Sequence, residues 1–369
     1  MTAELDVLAW LEQQVFYPKF YWEEREGTRL FAGVGEALAL KEIPSFDAGN
    51  LSSARFYGGV SFSGEAYFFL PLFELRQEKG KTSLILNLIE ENPLPQPHYA
   101  SLLSAAIVVE TRTDSPSFSG WERSVLEYLQ EPELEKIVAG RRTTFDLKEE
   151  ISPFALLRQL RQKTQKTTPF IFQMSPSTAF LGATPEKFYA RQGDALSADV
   201  MAGTCPIGKE QELLSGAKER REFNYVKHFI KETLTPFSHH VEEEEDRILT
   251  TTSVSHLYNR IQATLKQPIS DGELIRHLHP TPAMGGVPRA KALSLLHQKE
   301  PFTRGWYAAP IGWISACEVD LCVGIRSALI AEKQLHLFAA AGIVQGSDPL
   351  QEWNELEHKI KPFLDILHE

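Results

Sequence analysis

The stretch that decides the fold is Phe338-Ala-Ala-Ala-Gly342-Ile-Val, followed by Ser347-Asp348-Pro349 and then Glu352-Trp-Asn-Glu355. The first part is a strand of small residues, the last of a β-rich run from Leu335 to Val344. Ser347-Asp348-Pro349 then reads as an N-cap with proline at the first helical position. The helix that follows carries Glu352, Glu355 and Lys359 at i, i+3 and i+7, on one face. Leu350, Trp353, Leu356 and Ile360 form the neighbouring apolar stripe, and Pro362 should end or kink the helix. Small residues around Gly342 let a ligand approach backbone N–H groups near the positive end of that helix.

A second helix, expected near residues 209–235, repeats the arrangement. Glu219 and Glu222 are three apart and share a face with Val226 and Ile230, which should turn inward. Carboxylates aligned with a buried stripe are costly unless paired, protonated or bound to a cation. Two helices each offering Glu-x-x-Glu could converge on a hard divalent cation such as Mg²⁺, which prefers oxygen ligands. The plainer alternative is four exposed glutamates on surface helices, and spacing by itself does not choose.

The rest of the chain sets the frame. It has 369 residues, a formal charge of −11, 43% hydrophobic and 24% charged residues. That acidic balance argues against a nucleic-acid partner, whose phosphates need clustered Lys and Arg. It leaves room for a small anionic substrate beside local cations or a metal. Met1-Thr-Ala-Glu-Leu-Asp lacks the regions of a signal peptide, and no apolar run approaches the roughly 20 residues needed to span a bilayer. Cys205, Cys317 and Cys322 have neither CxxC spacing nor even number; they fit thiols in a reducing cytoplasm, with Cys317 and Cys322 in buried strands. The cytoplasm is the default location, and no membrane partner is expected.

Strands are expected at Gly58–Phe62, Ala66–Phe73, Thr82–Ile89, Phe170–Met174, Gly305–Ser315 and Leu321–Ile330, with a Pro-containing loop at 93–97. Helices are expected at 117–130 and 152–164. The acidic run Val241-Glu-Glu-Glu-Glu-Asp reads as a solvated loop or helix end. Strands interleaved with helices give an α/β or α+β fold with large sheets.

Several motifs become specific when taken in order. They are Lys136-Ile-Val-Ala-Gly-Arg141, Phe180-Leu-Gly-Ala-Thr-Pro-Glu186, Met201-Ala-Gly-Thr204, Lys218-Glu-Arg-Arg-Glu222 and Ser255-His256-Leu. His279-Pro-Thr-Pro-Ala283-Met-Gly-Gly, Gly305-Trp-Tyr-Ala-Ala-Pro-Ile-Gly, Ile325-Arg326, Ala341-Gly342-Ile-Val and Glu352-Trp-Asn-Glu355 follow. The series resembles the chorismate-utilising enzymes: isochorismate, salicylate and aminodeoxychorismate synthases and the large subunits of anthranilate synthase. The strong motifs cover 136–359; residues 1–130 are a divergent amino-terminal half and 131–369 the motif-bearing half of one chorismate-binding domain. The resemblance implies the anthranilate synthase component I-like fold, two large packed β-sheets with helices outside, and a cleft between halves.

Within the group the match is closest to the isochorismate-forming branch. The amination enzymes carry an Asp-Leu-x-Arg-Asn-Asp-type segment where this chain reads Tyr225-Val-Lys-His-Phe-Ile. They have Gly-Thr where this chain has Pro282-Ala283, and salicylate synthases are expected to have threonine at the Ala283 position. Two departures stand out. Cys205-Pro206 replaces a basic residue after Ala-Gly-Thr, and Ala139-Gly140 replaces Leu-Ala; both could alter pocket shape.

The resemblance implies magnesium-dependent conversion of chorismate to isochorismate, with water adding at C2 and the C4 hydroxyl leaving. Lys136 would be the base and Glu186 the acid, and burial would move both pKa values the required way. Glu219, Glu222, Glu352 and Glu355 would hold Mg²⁺, not all at once. Arg326 would clamp the enolpyruvyl carboxylate, and Lys359 would meet the ring carboxylate or balance the acidic cluster. Gly203, Thr204, Ala283 and Gly342 would line the substrate, and His256 is either a substrate contact or a structural histidine. No glutaminase subunit is expected, and a monomer is the default. The alternatives are a salicylate synthase that goes on to eliminate pyruvate, an amination enzyme, and a non-catalytic chorismate-binding subunit.

Overall fold

The computed structural model describes residues 5–46, 51, 53–89, 103–252, 254–266 and 269–368. Its strands form one continuous ladder. Neighbour by neighbour the order is Val254–Leu265, Ala195–Pro206, Lys187–Gln192, Glu318–Val323, Pro310–Ser315, Arg55–Val60 and Ala66–Glu78. It continues through Arg29–Leu40, Lys19–Glu23, Thr168–Ser175, Thr178–Thr184, Ser327–Ala331, Gln334–Val344, Lys136–Leu147 and Val109–Ser115. Every ladder pairing among these strands is antiparallel. The two expected sheets are the two arms of this ladder.

The arms close on an aromatic layer. Phe20, Trp22, Phe170, Phe172 and Phe180 from one arm are buried with Tyr57, Phe69, Ile311 and Trp313 from the other. Phe172 stacks on Phe69 with centroids 6.0 Å apart, and Trp306 meets it edge-on at 5.4 Å. Rings of this size bury enough area to dominate a core. Helices cover the outer faces. Trp121, Leu156, Leu160, Leu356, Ile360 and Phe363 pack on one arm, and Phe223, Val226, Ile230, Leu274 and Leu278 on the other.

Helix ends follow the sequence. Ser152 caps Pro153–Lys163 and Asp348 caps Pro349–Leu367, each accepting from a backbone N–H three residues on. Phe118–Gln130 is helical as expected.

Other expectations need correction. The helix near 209–235 is two pieces, Glu210–Ser215 and Ala217–Leu234, joined at Gly216. Leu321–Ile330 is broken at Gly324-Ile325-Arg326, and the Gly305 stretch becomes strand only at Pro310. Pro362 does not end the last helix, which runs on to Leu367 because Phe363 and Ile366 bury beyond it. Leu350 is exposed rather than part of the inward stripe, and Cys317 is exposed rather than buried. The acidic run begins in the edge strand Ser238–Glu243, where Glu243 meets Lys227 and Lys231. The loop at 93–97 lies outside the described residues. Among the described residues no helix is long and apolar enough to cross a membrane.

Candidate active site

A cleft of about 630 Å³, its open mouth included, lies where the two arms meet. Of the residues singled out from sequence, Glu186, Gly203, Thr204, Glu222, His256, Ala283, Arg326, Gly342 and Lys359 line it.

Glu186 sits in the turn after Thr178–Thr184. Its amide donates to Thr184 Oγ1 at 3.3 Å, and its carbonyl accepts from the Val323 amide at 3.0 Å. Burial, and then the negative charge of Asp199, push its carboxyl up to about 8, against the pull of Lys136, Arg25 and Lys359. It is therefore protonated at neutral pH and can donate.

Lys136, the first residue of its strand, is buried directly behind two lining residues. Its Nζ is 3.1 Å from Glu222 Oε1, and its Cε would lie 3.2 Å from a Cβ placed on Gly342. That same Cβ would stand 2.1 Å from Glu222 Oε1, so any larger residue must displace that carboxylate. Burial alone would raise the Glu222 carboxyl, but Lys136, Lys359 and Lys218 outweigh it and hold it below its usual range.

On another wall Thr204 and His256 face each other across the ladder, beside a bulge at Gly203, whose φ is +68°. His256 Nε2 is 3.3 Å from Arg326 Nη2, and its Nδ1 is 3.1 Å from Thr204 Oγ1. A guanidinium only donates, so Nε2 accepts and Nδ1 carries the hydrogen. Burial and the charges of Arg326 and Lys359 push the His256 pKa well down, so the ring is neutral. Arg326 occupies the break between strands at φ +51° and donates to the Lys359 carbonyl at 3.0 Å. Burial lowers its pKa to about 10, which leaves it charged at neutral pH. Left-handed backbone at a non-glycine costs of order 1–3 kcal/mol and is common where a side chain is aimed for function.

The four glutamates on the two helices are only partly brought together. Among the described residues no group of three or more acidic, His or Cys side chains is gathered for a metal. Glu219 lies off the cleft, its Cα and Cβ against Gly203. Lysines engage the others: Glu222 meets Lys136, Glu352 meets Lys218 at 2.5 Å, and Glu355 meets Lys359 at 2.5 Å. The chemistry still suits a hard cation. Burial, and then the charge of Glu355, push Glu352 up to about 7 despite Lys218. A buried carboxyl raised by a neighbouring carboxylate in this way marks a place where added positive charge is stabilising.

A family model described as "Chorismate binding enzyme" matches residues 52–368. The chain belongs to that family. Isochorismate synthase MenF of Haemophilus influenzae is 30% identical over 394 residues, covering 99% of this chain and 90% of that protein. The solved structure of MenF, the menaquinone-specific isochorismate synthase from Escherichia coli, matches with a TM-score of 0.87 at 27% identity, covering 100% of this chain and 92% of that one. Anthranilate synthase component I from Streptococcus pneumoniae shares the fold, with a TM-score of 0.71 at 16% identity over 94% of this chain and 90% of that one.

Set beside this chorismate-binding family, the sequence departures prove local. Ala139, Gly140, Cys205 and Pro206 do not line the cleft. Gly140 instead leaves space for Glu300, whose Oε1 accepts from its amide at 2.8 Å. Sequence reasoning missed Lys218 as the partner of Glu352, and the apolar wall of Met201, Met284, Tyr307 and Phe338. It also missed Asp199, a lone acid between Ala198 and Val200 in a strand buried on both faces. That break in the pattern was the available signal.

Proposed function

We propose that this chain isomerises chorismate to isochorismate, with Lys136 as base and Glu186 as acid. The observation that carries the reading is the pairing of opposites at one cleft. A carboxyl held protonated at neutral pH stands on one wall, and a buried amine lies behind another, close enough to pull on it electrostatically. The full-length similarity to isochorismate synthase MenF of Haemophilus influenzae supports it.

In this mechanism Lys136, as the free amine left once its ammonium proton has passed to solvent, takes the proton of the water that adds at C2, while Glu186 gives one to the departing C4 hydroxyl. The double bonds shift between them, and no net proton is gained or lost. Arg326, charged and aimed by its backbone, binds the enolpyruvyl carboxylate. His256, neutral, holds Arg326 and Thr204 in place, and the Thr204 hydroxyl hydrogen is left for a substrate oxygen. Gly203, Ala283 and Gly342 keep the walls small enough for a six-membered ring. Mg²⁺ would be held by Glu222, Glu352 and Glu355, with Glu219 at the margin, and would neutralise the ring carboxylate; Lys359 balances the acidic cluster. The chain is proposed to work in the cytoplasm as a monomer, without a glutaminase subunit.

Chromatography after incubation with chorismate and Mg²⁺ should show isochorismate and little pyruvate. Stoichiometric pyruvate would make the chain a salicylate synthase, and no turnover would overturn the reading. EDTA-treated protein should be inactive and recover with Mg²⁺; activity indifferent to chelation would remove the metal.

A further inference from the structure

Asp199 lies in the middle of Ala195–Pro206 and is 3% exposed. Its Oδ1 accepts from the Tyr258 hydroxyl at 2.6 Å and lies 3.5 Å from Arg260 Nε. Its Oδ2 accepts from Arg25 Nη2 at 2.6 Å and from the backbone amide of Lys187 at 3.0 Å. Lys187 directly follows Glu186, and its own ammonium is tied to buried Asp320 at 2.6 Å. The turn that carries the acid is thus clamped at one residue by two buried carboxylates, one on the main chain and one on the side chain.

A carboxylate that needed only neutralisation would be satisfied by Arg25 and Arg260. Here Oδ2 accepts from the peptide next to Glu186 as well as from Arg25, so the network reaches toward the cleft rather than closing on itself. We propose that Asp199 is a positioning residue for Glu186, fixing the turn through the Lys187 amide and placing a negative charge beside the acid. Arg25, from the amino-terminal part of the chain, is the counterweight. The charged groups acting on Glu186 are Asp199, Lys136, Arg25 and Lys359; Asp199 raises its pKa and the three cations lower it. The inference deepens the isomerase reading and rests on Glu186 being its acid.

The two members of the ion pair should act in opposite directions. Asp199→Asn keeps the shape and removes the negative charge, so Glu186 should lose its proton at lower pH. Arg25→Gln removes a positive charge, so Glu186 should lose it at higher pH. Infrared titration of the intact protein reads this without turnover, using the protonated carboxyl band that disappears in Glu186→Gln. The midpoint should fall by roughly one pH unit in Asp199→Asn and rise in Arg25→Gln. The alkaline limb of kcat should move the same two ways. Midpoints that stay put, or shift in the same direction in both variants, would overturn the role of Asp199. If Asp199→Asn does not fold, Asp199→Glu, which keeps the negative charge but moves it off the Lys187 amide, decides: a midpoint that stays raised while kcat falls supports the positioning role, and a kcat equal to wild type overturns it. Absent isochorismate formation by the wild-type protein would sink the isomerase reading but leave the infrared result standing.

Discussion

Glu186 combines burial with a nearby like charge, and its consequences can be measured on activity and on stability. The acid must hold its proton to donate it, so kcat should fall as pH rises through about 8. An alkaline limb absent below pH 10 would remove Glu186 from the role. The same shift costs stability. A carboxyl whose pKa is raised on folding favours the native state fully at pH below its unfolded value, near 4.3. That contribution is lost as pH rises toward 8. Glu186→Gln should therefore abolish turnover while raising the melting temperature at pH 8, and leave it little changed at pH 4. Lys136→Ala should stop water addition but keep measurable chorismate binding by calorimetry. Gly342→Ala puts a methyl 2.1 Å from Glu222 Oε1, which must move. A loss of about 100-fold in kcat/KM is expected from a displacement of this size, and activity near wild type would show that Glu222 is free to move. Most of this wall was legible because Glu186, Arg326 and Gly342 lie in recognisable motifs. Asp199 and Arg25 were not, since 174 residues separate them and only folding brings them together.

At the level of elements, periodicity located helices and strands but not the breaks that matter. Leu321–Ile330 reads as one apolar run, yet interrupting it at Gly324-Ile325-Arg326 is what turns Arg326 into the cleft. Pro362 misled in the other direction, because burial of Phe363 and Ile366 outweighs one lost helical hydrogen bond. The last helix is fixed to its sheet by Arg141, which is completely buried. Arg141 Nη2 is 2.7 Å from Glu357 Oε1, and its guanidinium lies 4.3 Å from the Trp353 ring centroid. Arg141→Met should lower stability by about 2 kcal/mol, read from the urea midpoint. An unchanged midpoint would mean that the helix is held by its apolar face alone.

Across the whole molecule, the strands Lys19–Glu23, Arg29–Leu40 and Ala66–Glu78 occupy the centre of the ladder, although their sequences carry none of the strong motifs. A fragment of residues 131–369 lacks them, and we predict that it does not fold alone, as judged by near-UV circular dichroism. A folded, cooperative fragment would contradict the proposal of one domain. The resemblance supplied two packed sheets; it could not supply their continuity, because strand order depends on pairings hundreds of residues apart.

That continuity bears on how a ligand gets in. Among the described residues the backbone passes between the arms several times and the aromatic layer cements them, which leaves no hinge there on which two lobes could swing apart. Entry and release must then rely on rotation of side chains at the rim, with the lysines that now grip Glu352 and Glu355 as the movable parts, and the protein's overall dimensions in solution should be the same with and without substrate.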